Sequence, residues 1–330
     1  MSYLEHPTFI CGHRKGGTTV LLCLFDNHPQ LLTYPVDSAF FYRIFPACET
    51  TDKEQTIDNL VTYTIKQNLR DEMDVVGDHG LFDVEAIADS YKNYMASEEH
   101  TAKAHLTTLM RAYADHCGQD WTGWRGWVEK TTSTEIYATQ AESWFPNARF
   151  IHVVRDPRDN WASLKSGWRA RYKDQENSLE ALLQSLIDRA GLGLRMAKIN
   201  KKSLGEERYK IIRFEDLAND PDRGMRDLCS FMNIDFHDNL TMPTVNGKLW
   251  KGNNFEGMKF AALSDANVGR WHKRTEEREI ATIEANLGDV MEALGYSVTF
   301  SARERALAAG DHYKWLNFDG RKIFQNKFDG

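Results

Sequence analysis

Short apolar runs broken by glycine, proline or charge alternate along this chain with longer stretches of helical spacing. Thr8-Phe9-Ile10-Cys11 stops at Gly12, and from Thr18 the apolar positions Val20, Leu21, Leu22, Leu24 and Phe25 keep a helical period until His28-Pro29 ends it. This is strand, glycine-rich turn, helix. Arg149 to Val154 reads as a second strand, followed by Asp156-Pro157-Arg158-Asp159 and a helical stretch to Trp168. Tyr209 to Phe214 reads as a third, followed by a helix that opens at Pro221 and runs to about Met232, and Gly126 to Lys130 as a fourth. Short strands mostly followed by helices predict an α/β fold, a central parallel sheet flanked by helices on both faces. Residues of about 45–118 and 174–205 are helical in spacing and more polar, and read as insertions on the sheet. Glu277 to Leu294 predicts an amphipathic helix; the charged tail from Arg303, with Tyr313, Trp315, Phe318 and Phe324, reads as strand or coil packing its aromatics on the body. No repeat, low-complexity tract or Pro/Ser/Gly linker divides the sequence, so one domain over 1–330 is expected.

Composition narrows the class. At 330 residues with 42% hydrophobic positions, folding hides roughly 75% of the unfolded surface, so no disulfide or metal staple is needed. The 41 Lys+Arg against 48 Asp+Glu give a net charge of −7, which argues against coating nucleic acid or anionic membrane and requires any anion site to be concentrated. The five cysteines, Cys11, Cys23, Cys48, Cys117 and Cys229, are scattered and never in C-x-x-C spacing. Neither a disulfide framework nor a zinc site is suggested, and buried reduced thiols are expected. The first residues lack a basic or apolar leader pattern, and the longest apolar run, Val20 to Phe25, is far short of the roughly 20 residues of a membrane span. A cytoplasmic protein with no membrane span and no nucleic-acid partner is expected.

Gly12-His13-Arg14-Lys15-Gly16-Gly17-Thr18-Thr19 sits where a phosphate loop belongs, between strand and helix, so that successive backbone N–H groups and the helix dipole converge on one anion. The nucleoside-triphosphatase pattern G-x-x-x-x-G-K-[ST] is matched at Gly12, Gly17 and Thr19, but its lysine position is Thr18 and the lysine stands forward, at Lys15. No acidic strand end offers itself for Mg²⁺. A donor carrying one phosphate plus a leaving group's charge fits better than a triphosphate. A second constellation is Val153-Val154-Arg155-Asp156-Pro157-Arg158-Asp159 with Ser163 eight residues after Arg155. An arginine at the C-terminal end of a parallel strand lies on the ligand-binding edge of an open α/β sheet, and Ser163, about two helical turns on, would join it in gripping a second phosphate. Asp156-Pro157 would start the helix. The plainer alternatives are a glycine turn with chance basic neighbours and a surface ion pair between Arg155 and Asp159.

Together these motifs resemble those of the sulfotransferase superfamily, a 5′-phosphosulfate loop G-x-x-[KR]-[SG]-G-T-T and a 3′-phosphate motif V-R-[DN]-P-[RK]-D-x-x-x-S. Glu129-Lys130-Thr131 is similar to that family's lysine-bearing strand end, Arg213-Phe214-Glu215-Asp216-Leu217 to its R-[YF]-E-D-L segment, and Gly247 to Asn254 with Gly269-Arg270-Trp271 to its cofactor-closing segments. The resemblance implies a P-loop-like fold and transfer of a sulfuryl group from 3′-phosphoadenosine 5′-phosphosulfate to a hydroxyl or amine, with adenosine 3′,5′-bisphosphate as product and no metal required. It implies that Arg14, Lys15, Gly16, Gly17, Thr18 and Thr19 hold the 5′-phosphate, Arg155 and Ser163 the 3′-phosphate, and Phe214, Asn254 and Arg270 the nucleotide. Lys130 would neutralise the sulfuryl oxygens, unless it is only an exposed strand-end lysine. Where phenol- and steroid-type members carry a histidine two residues past the strand lysine, this chain has Thr132. It is closer to the carbohydrate- and protein-modifying and bacterial members; the carbohydrate- and protein-modifying ones take a glutamate from the segment after the first helix, and the nearest match here is Asp37, the expected general base, whose simpler role would be a helix N-cap. His79 and His105 are reserve bases. The acceptor, a small molecule, carbohydrate or peptide, would meet the loops following residue 33 and the 45–118 insertion, where Phe40, Phe41, Tyr42, Phe45 and Tyr63 supply aromatic surface that serves equally as core. Basic Arg169, Arg171 and Lys173 would meet an acidic acceptor or form a solvated helix end. The rival readings are a P-loop kinase or NTPase and a catalytically idle nucleotide-binding relative. Oligomeric state is not legible.

Overall fold

The computed structural model describes residues 2–176, 178–252 and 262–315. The chain divides into two compact units, Met1–Arg155 with Leu192–Val268, and Asp156–Gly191 with Gly269–Gly330.

The first unit is built on five parallel strands, β1 (Pro7–Cys11), β2 (Leu31–Asp37), β3 (Gly126–Lys130), β4 (Arg149–Val154) and β5 (Tyr209–Arg213), in the order β2-β3-β1-β4-β5. Helix α1 (Thr18–Phe25) follows the β1 loop. The insertion after β2 holds α2 (Phe45–Cys48), α3 (Lys53–Asn59), a π-helical stretch Leu60–Gln67 that runs on into α4 (Asn68–Val76), then α5 (Val84–Met95) and α6 (Ala102–Ala114); α7 (Ala138–Trp144) links β3 to β4. The second unit begins with α8 (Pro157–Ser166) and α9 (Lys173–Glu176), and α10 (Leu179–Leu204) runs from it back into the first. In the first unit, α11 (Phe214–Asn219) and α12 (Pro221–Met232) follow β5. The second unit ends with α13 (Trp271–Arg274), α14 (Glu277–Ala293) and α15 (Ala302–Trp315).

The sheet is covered on both faces, and alternate apolar residues of its strands enter different cores. Phe9, Trp127, Phe150 and Tyr209 pack with Tyr34, Phe40, Phe41, Leu106 and Phe145. Ile10, Val128 and Ile151 pack with Leu21, Leu24, Met225 and Leu228 on the other side. All five cysteines are buried and unpaired with one another, as expected. Phe40 and Phe41 are core, whereas Tyr42 and Tyr63 are exposed. Among the described residues no helix is long and apolar enough to cross a membrane.

Two expectations need correction. The sheet has a fifth strand, β2, that the pattern did not predict: Pro35 interrupts it and its pairing with β3 shifts register between Thr33 and Asp37. Proline is tolerated there because β2 is an edge strand. The tail is not strand or coil, for Ala302–Trp315 is a helix whose N-terminus is anchored by the Ser301 hydroxyl donating to Glu304 at 2.6 Å; Phe318 and Phe324 lie outside the described residues.

Candidate active site

The loop after β1 is shaped by close packing. Gly12 has φ +136 and a Cβ there would stand 2.5 Å from the Val153 carbonyl oxygen; Gly17 has φ +101 and a Cβ would stand 2.3 Å from the Phe214 ring. Only glycine reaches such angles without strain. Gly16 N–H closes the turn on the His13 carbonyl at 2.9 Å. Gly17 is the N-cap of α1 and supplies no side-chain cap, so the first amides of that helix point into the loop as donors for an anion. Lys15 holds φ +60. Of six non-glycine residues with positive φ among those described, three are asparagines; the others, Lys15, Ala39 and Ser133, follow the C-terminal ends of β1, β2 and β3. Backbone held in this sparsely populated region gathers at the sheet edge where α/β folds bind ligands.

Arg155, at the end of β4, braces the same loop. Its Nη1 donates to the Lys15 carbonyl at 2.8 Å and its Nη2 to the Asn267 carbonyl at 2.9 Å, with the guanidinium 4.9 Å from the Phe214 ring centre. Arg14 and Lys15 are half-buried. Behind the loop, Gly12 N–H donates to Glu135 Oε2 at 2.9 Å, and burial pushes the Glu135 carboxyl up to about 7 against that hydrogen bond.

Asp37 and Lys130 end adjacent strands and are register partners. Lys130 Nζ donates to Asp37 Oδ2 at 2.6 Å, Thr132 Oγ1 donates to the same oxygen at 2.8 Å, and Ala39 N–H to Oδ1 at 3.0 Å. Lys130 is not an exposed strand-end lysine, being 4% exposed. Burial pushes the Asp37 carboxyl up, but the Lys130 charge and the three hydrogen bonds outweigh it and hold the group below the usual carboxylate range. A carboxylate has about four acceptor positions; three are filled here, and the side chain is 28% exposed, so one more donor can reach it. Asp37 does cap the turn at Ala39, but no regular α-helix starts there.

Three carboxyls near these groups escape a reading by motif. Glu129 is fully buried, accepting from the Ser38 hydroxyl and, at 2.6 Å, from Thr131; burial pushes it up to about 7, and Asp37's charge adds to the rise. Glu72 lies on α4 one turn beyond Asn68, whose amide donates to the Asp37 carbonyl at 2.8 Å. Burial pushes Glu72 up to about 7 as well, against the charge of Lys130. Glu135 is the third. A usable signal for Glu129 existed: an acid beside the strand lysine in a sheet covered on both faces has to be buried.

In the second unit the D-P-R-D stretch is structural. Asp156 caps α8 by accepting from Arg158 N–H at 2.9 Å, Arg158 pairs with Asp156 at 2.7 Å and Glu284 at 2.8 Å, and its guanidinium lies 4.0 Å from the Trp271 ring centre. Asp159 is buried rather than on the surface, and accepts from the amides of Gly269 at 2.7 Å and Trp271 at 2.9 Å. It thereby shapes the Gly269-Arg270-Trp271 turn. Ser163, half-buried on α8, and Arg270, at the start of α13, belong to this unit; Asn254 lies outside the described residues. Of the reserve bases, His79 is an exposed side chain 3.3 Å from Asp74. His105 is buried in the insertion, and burial, His100 and Lys53 push it down to about 4. Arg169, Arg171 and Lys173 are exposed.

Residues 7–238 match the model of the Sulfotransferase family. The chain belongs to the sulfotransferase family. Solved sulfotransferase structures share its fold: the sulfotransferase domain from the curacin biosynthetic pathway, 16% identical, covers 88% of this chain and 98% of its own with a TM-score of 0.61. That from the Synechococcus PCC 7002 olefin synthase, 18% identical, covers 89% and 96% with a TM-score of 0.60. No curated relative matches the chain. Family membership makes this sulfotransferase an enzyme of group transfer, and the parallel α/β sheet expected from the sequence is the family's fold.

Proposed function

We propose that the protein moves the sulfuryl group of 3′-phosphoadenosine 5′-phosphosulfate, by in-line displacement, to a hydroxyl or amine of a small-molecule, carbohydrate or peptide acceptor. The observation that carries this reading is the loop after β1: glycines that no other residue can replace without a clash, an uncapped helix start, and a lysine at position 15 rather than at the position that serves a triphosphate. The donor supplies an activated sulfuryl group whose departure leaves growing negative charge on a 5′-phosphate. Lys15, Arg14 and the amides of Gly16, Gly17, Thr18 and Thr19 are suited to hold that charge, as donors fixed in advance of the reaction. Arg155 brings positive charge and holds the loop by its Lys15 carbonyl. Lys130 places a buried cation at the next strand end. Asp37, ionised and oriented by Lys130 and Thr132, takes the acceptor's proton at its remaining lone-pair position. Ser163, Phe214, Asn254 and Arg270 are assigned to the nucleotide on the motif resemblance alone.

The test is transfer from this donor across an acceptor panel, with adenosine 3′,5′-bisphosphate binding followed by calorimetry. Lys15→Ala is expected to lower kcat by about 10²–10³. Asp37→Asn is expected to lower it by about 10²–10⁴ and to leave bisphosphate affinity unchanged. Bisphosphate binding with no transfer to any acceptor would mark an idle relative, and Mg²⁺-dependent ATP turnover a kinase or NTPase.

A second reading concerns the base only. Glu72, with its carboxyl near 7 and within the field of Lys130, is better matched to neutral pH than Asp37.

A further inference from the structure

Apart from the sheet edge, the insertion brings together Cys48, His100 and His105. Cys48 ends α2, His100 lies in the turn between α5 and α6, and His105 stands in the first turns of α6. Cys48 and His105 are buried, and His100 is half-buried and gives access from solvent. Their ligating atoms all lie within 4.8 Å of one another, the one such cluster of Cys, His, Asp or Glu among the described residues.

Two of the three separations lie close to those around one ion. Cys48 Sγ is 3.9 Å from His100 Nδ1, and His100 Nδ1 is 2.9 Å from His105 Nε2. Tetrahedral zinc, with Zn–S of about 2.3 Å and Zn–N of about 2.0–2.1 Å, sets sulfur and nitrogen ligands about 3.5 Å apart and two nitrogens about 3.4 Å apart. Both distances are within about half an ångström of these, and the remaining Cys48–His105 separation lies within 4.8 Å.

The outer nitrogens are already engaged as they are around a bound metal. His100 Nε2 is 3.0 Å from the Thr51 carbonyl oxygen, which can only accept; His100 therefore carries its proton on Nε2 and turns the Nδ1 lone pair toward Cys48 and His105. His105 Nδ1 is 2.6 Å from the Tyr91 hydroxyl, an acceptor for the Nδ1–H that Nε2 ligation requires. Lys53 is a nearby cation, but its ammonium donates to the Glu98 carbonyl at 2.6 Å, and a Cys48 thiolate with the neighbouring Glu49 offsets it.

We propose that Cys48, His100 and His105 bind one zinc ion, leaving a fourth position for water, and so clamp α2 to the α5–α6 pair inside the insertion. On binding, the S–H bond of Cys48 breaks, its proton leaves to solvent and the sulfur pair forms the Zn–S bond; the His105 proton moves from Nε2 to Nδ1. No electrons are exchanged. A thiolate and two imidazoles select zinc over the oxygen-seeking Mg²⁺ and Ca²⁺. The linear sequence gives no sign of the site, since its cysteine and first histidine are 52 residues apart.

The test uses the full chain, stripped with a chelator and titrated with Zn²⁺ against a chromophoric competitor, and with Co²⁺ as a spectroscopic probe. One equivalent of each metal is expected, with four-coordinate Co²⁺ absorption and a thiolate-to-cobalt charge-transfer band. Cys48→Ser should abolish that band and weaken zinc at least tenfold. His100→Gln should weaken zinc at least tenfold and keep the band, while Cys117→Ser should change neither. His100 is half-buried, so its variant decides the matter if Cys48→Ser does not fold. Binding below one equivalent, or binding unchanged by His100→Gln, would overturn the proposal and leave the cluster as a hydrogen-bonded chain from Tyr91 to Thr51.

Discussion

Asp37 and Glu72 are two carboxyls in one field with opposite titration behaviour, and the pH profile of turnover separates their roles. Lys130 and three hydrogen bonds keep Asp37 ionised well into acid, so a base at this position produces no acid limb of kcat near neutrality. Glu72→Gln should then leave kcat within tenfold of the parent. A limb near pH 7 that Glu72→Gln removes would assign the proton transfer to Glu72. Lys130→Met supplies the complementary measurement: without the charge that offsets burial, the Asp37 carboxyl rises, and the acid limb moves to higher pH. Removing one partner of a pair this buried also destabilises the fold, by about 3–5 kcal/mol for a fully enclosed pair and less here, where Asp37 retains 28% exposure.

Strands and their following loops decide how tightly the anion cradle is held. Gly17 is the tightest point, because its positive φ and the Phe214 ring both reject a side chain. Gly17→Ala imposes strain of about 1–3 kcal/mol from the backbone alone. The expected result is at least tenfold weaker binding of adenosine 3′,5′-bisphosphate with a lowered melting temperature; unchanged affinity by calorimetry would show that the loop does not form the cradle. The same elements explain what the sequence could and could not tell. β1, β3, β4 and β5 are short segments centred on apolar residues and bounded by glycine, proline or charge, and such segments are read locally. β2 contains Pro35 and a register shift, features that an edge position permits and a linear pattern cannot distinguish from a loop. Since β2 carries Asp37 to Lys130, missing the strand meant naming the base without seeing its partner.

Taken over the first unit, buried ionisable groups give stability a pH dependence that single substitutions can dissect. Glu129 titrates ordinarily near 4.5 and near 7 when folded. Between those values the folded chain holds more protons than the unfolded one, so this contribution is complete below about 4.5 and lost as pH rises through 7. The gap is worth roughly 3 kcal/mol. His152, pushed down to about 3 by burial, acts with the opposite sign: its contribution is present above 6.5 and lost as pH falls. Glu129→Gln should therefore gain on the parent in melting temperature as pH is raised from 5 to 8; a constant difference would refute the buried-acid account. What could be read from the chain alone is local chemistry: a glycine loop between strand and helix, an arginine at a strand end, a proline-opened helix. Each is specified by residues within a few positions of one another, whose backbone geometry they dictate directly. The Asp37–Lys130 pair, separated by 93 residues, the Glu129 pocket and the Cys48–His100–His105 cluster were decided by tertiary structure, because strand register and helix packing choose which distant side chains meet, and burial then sets their charge.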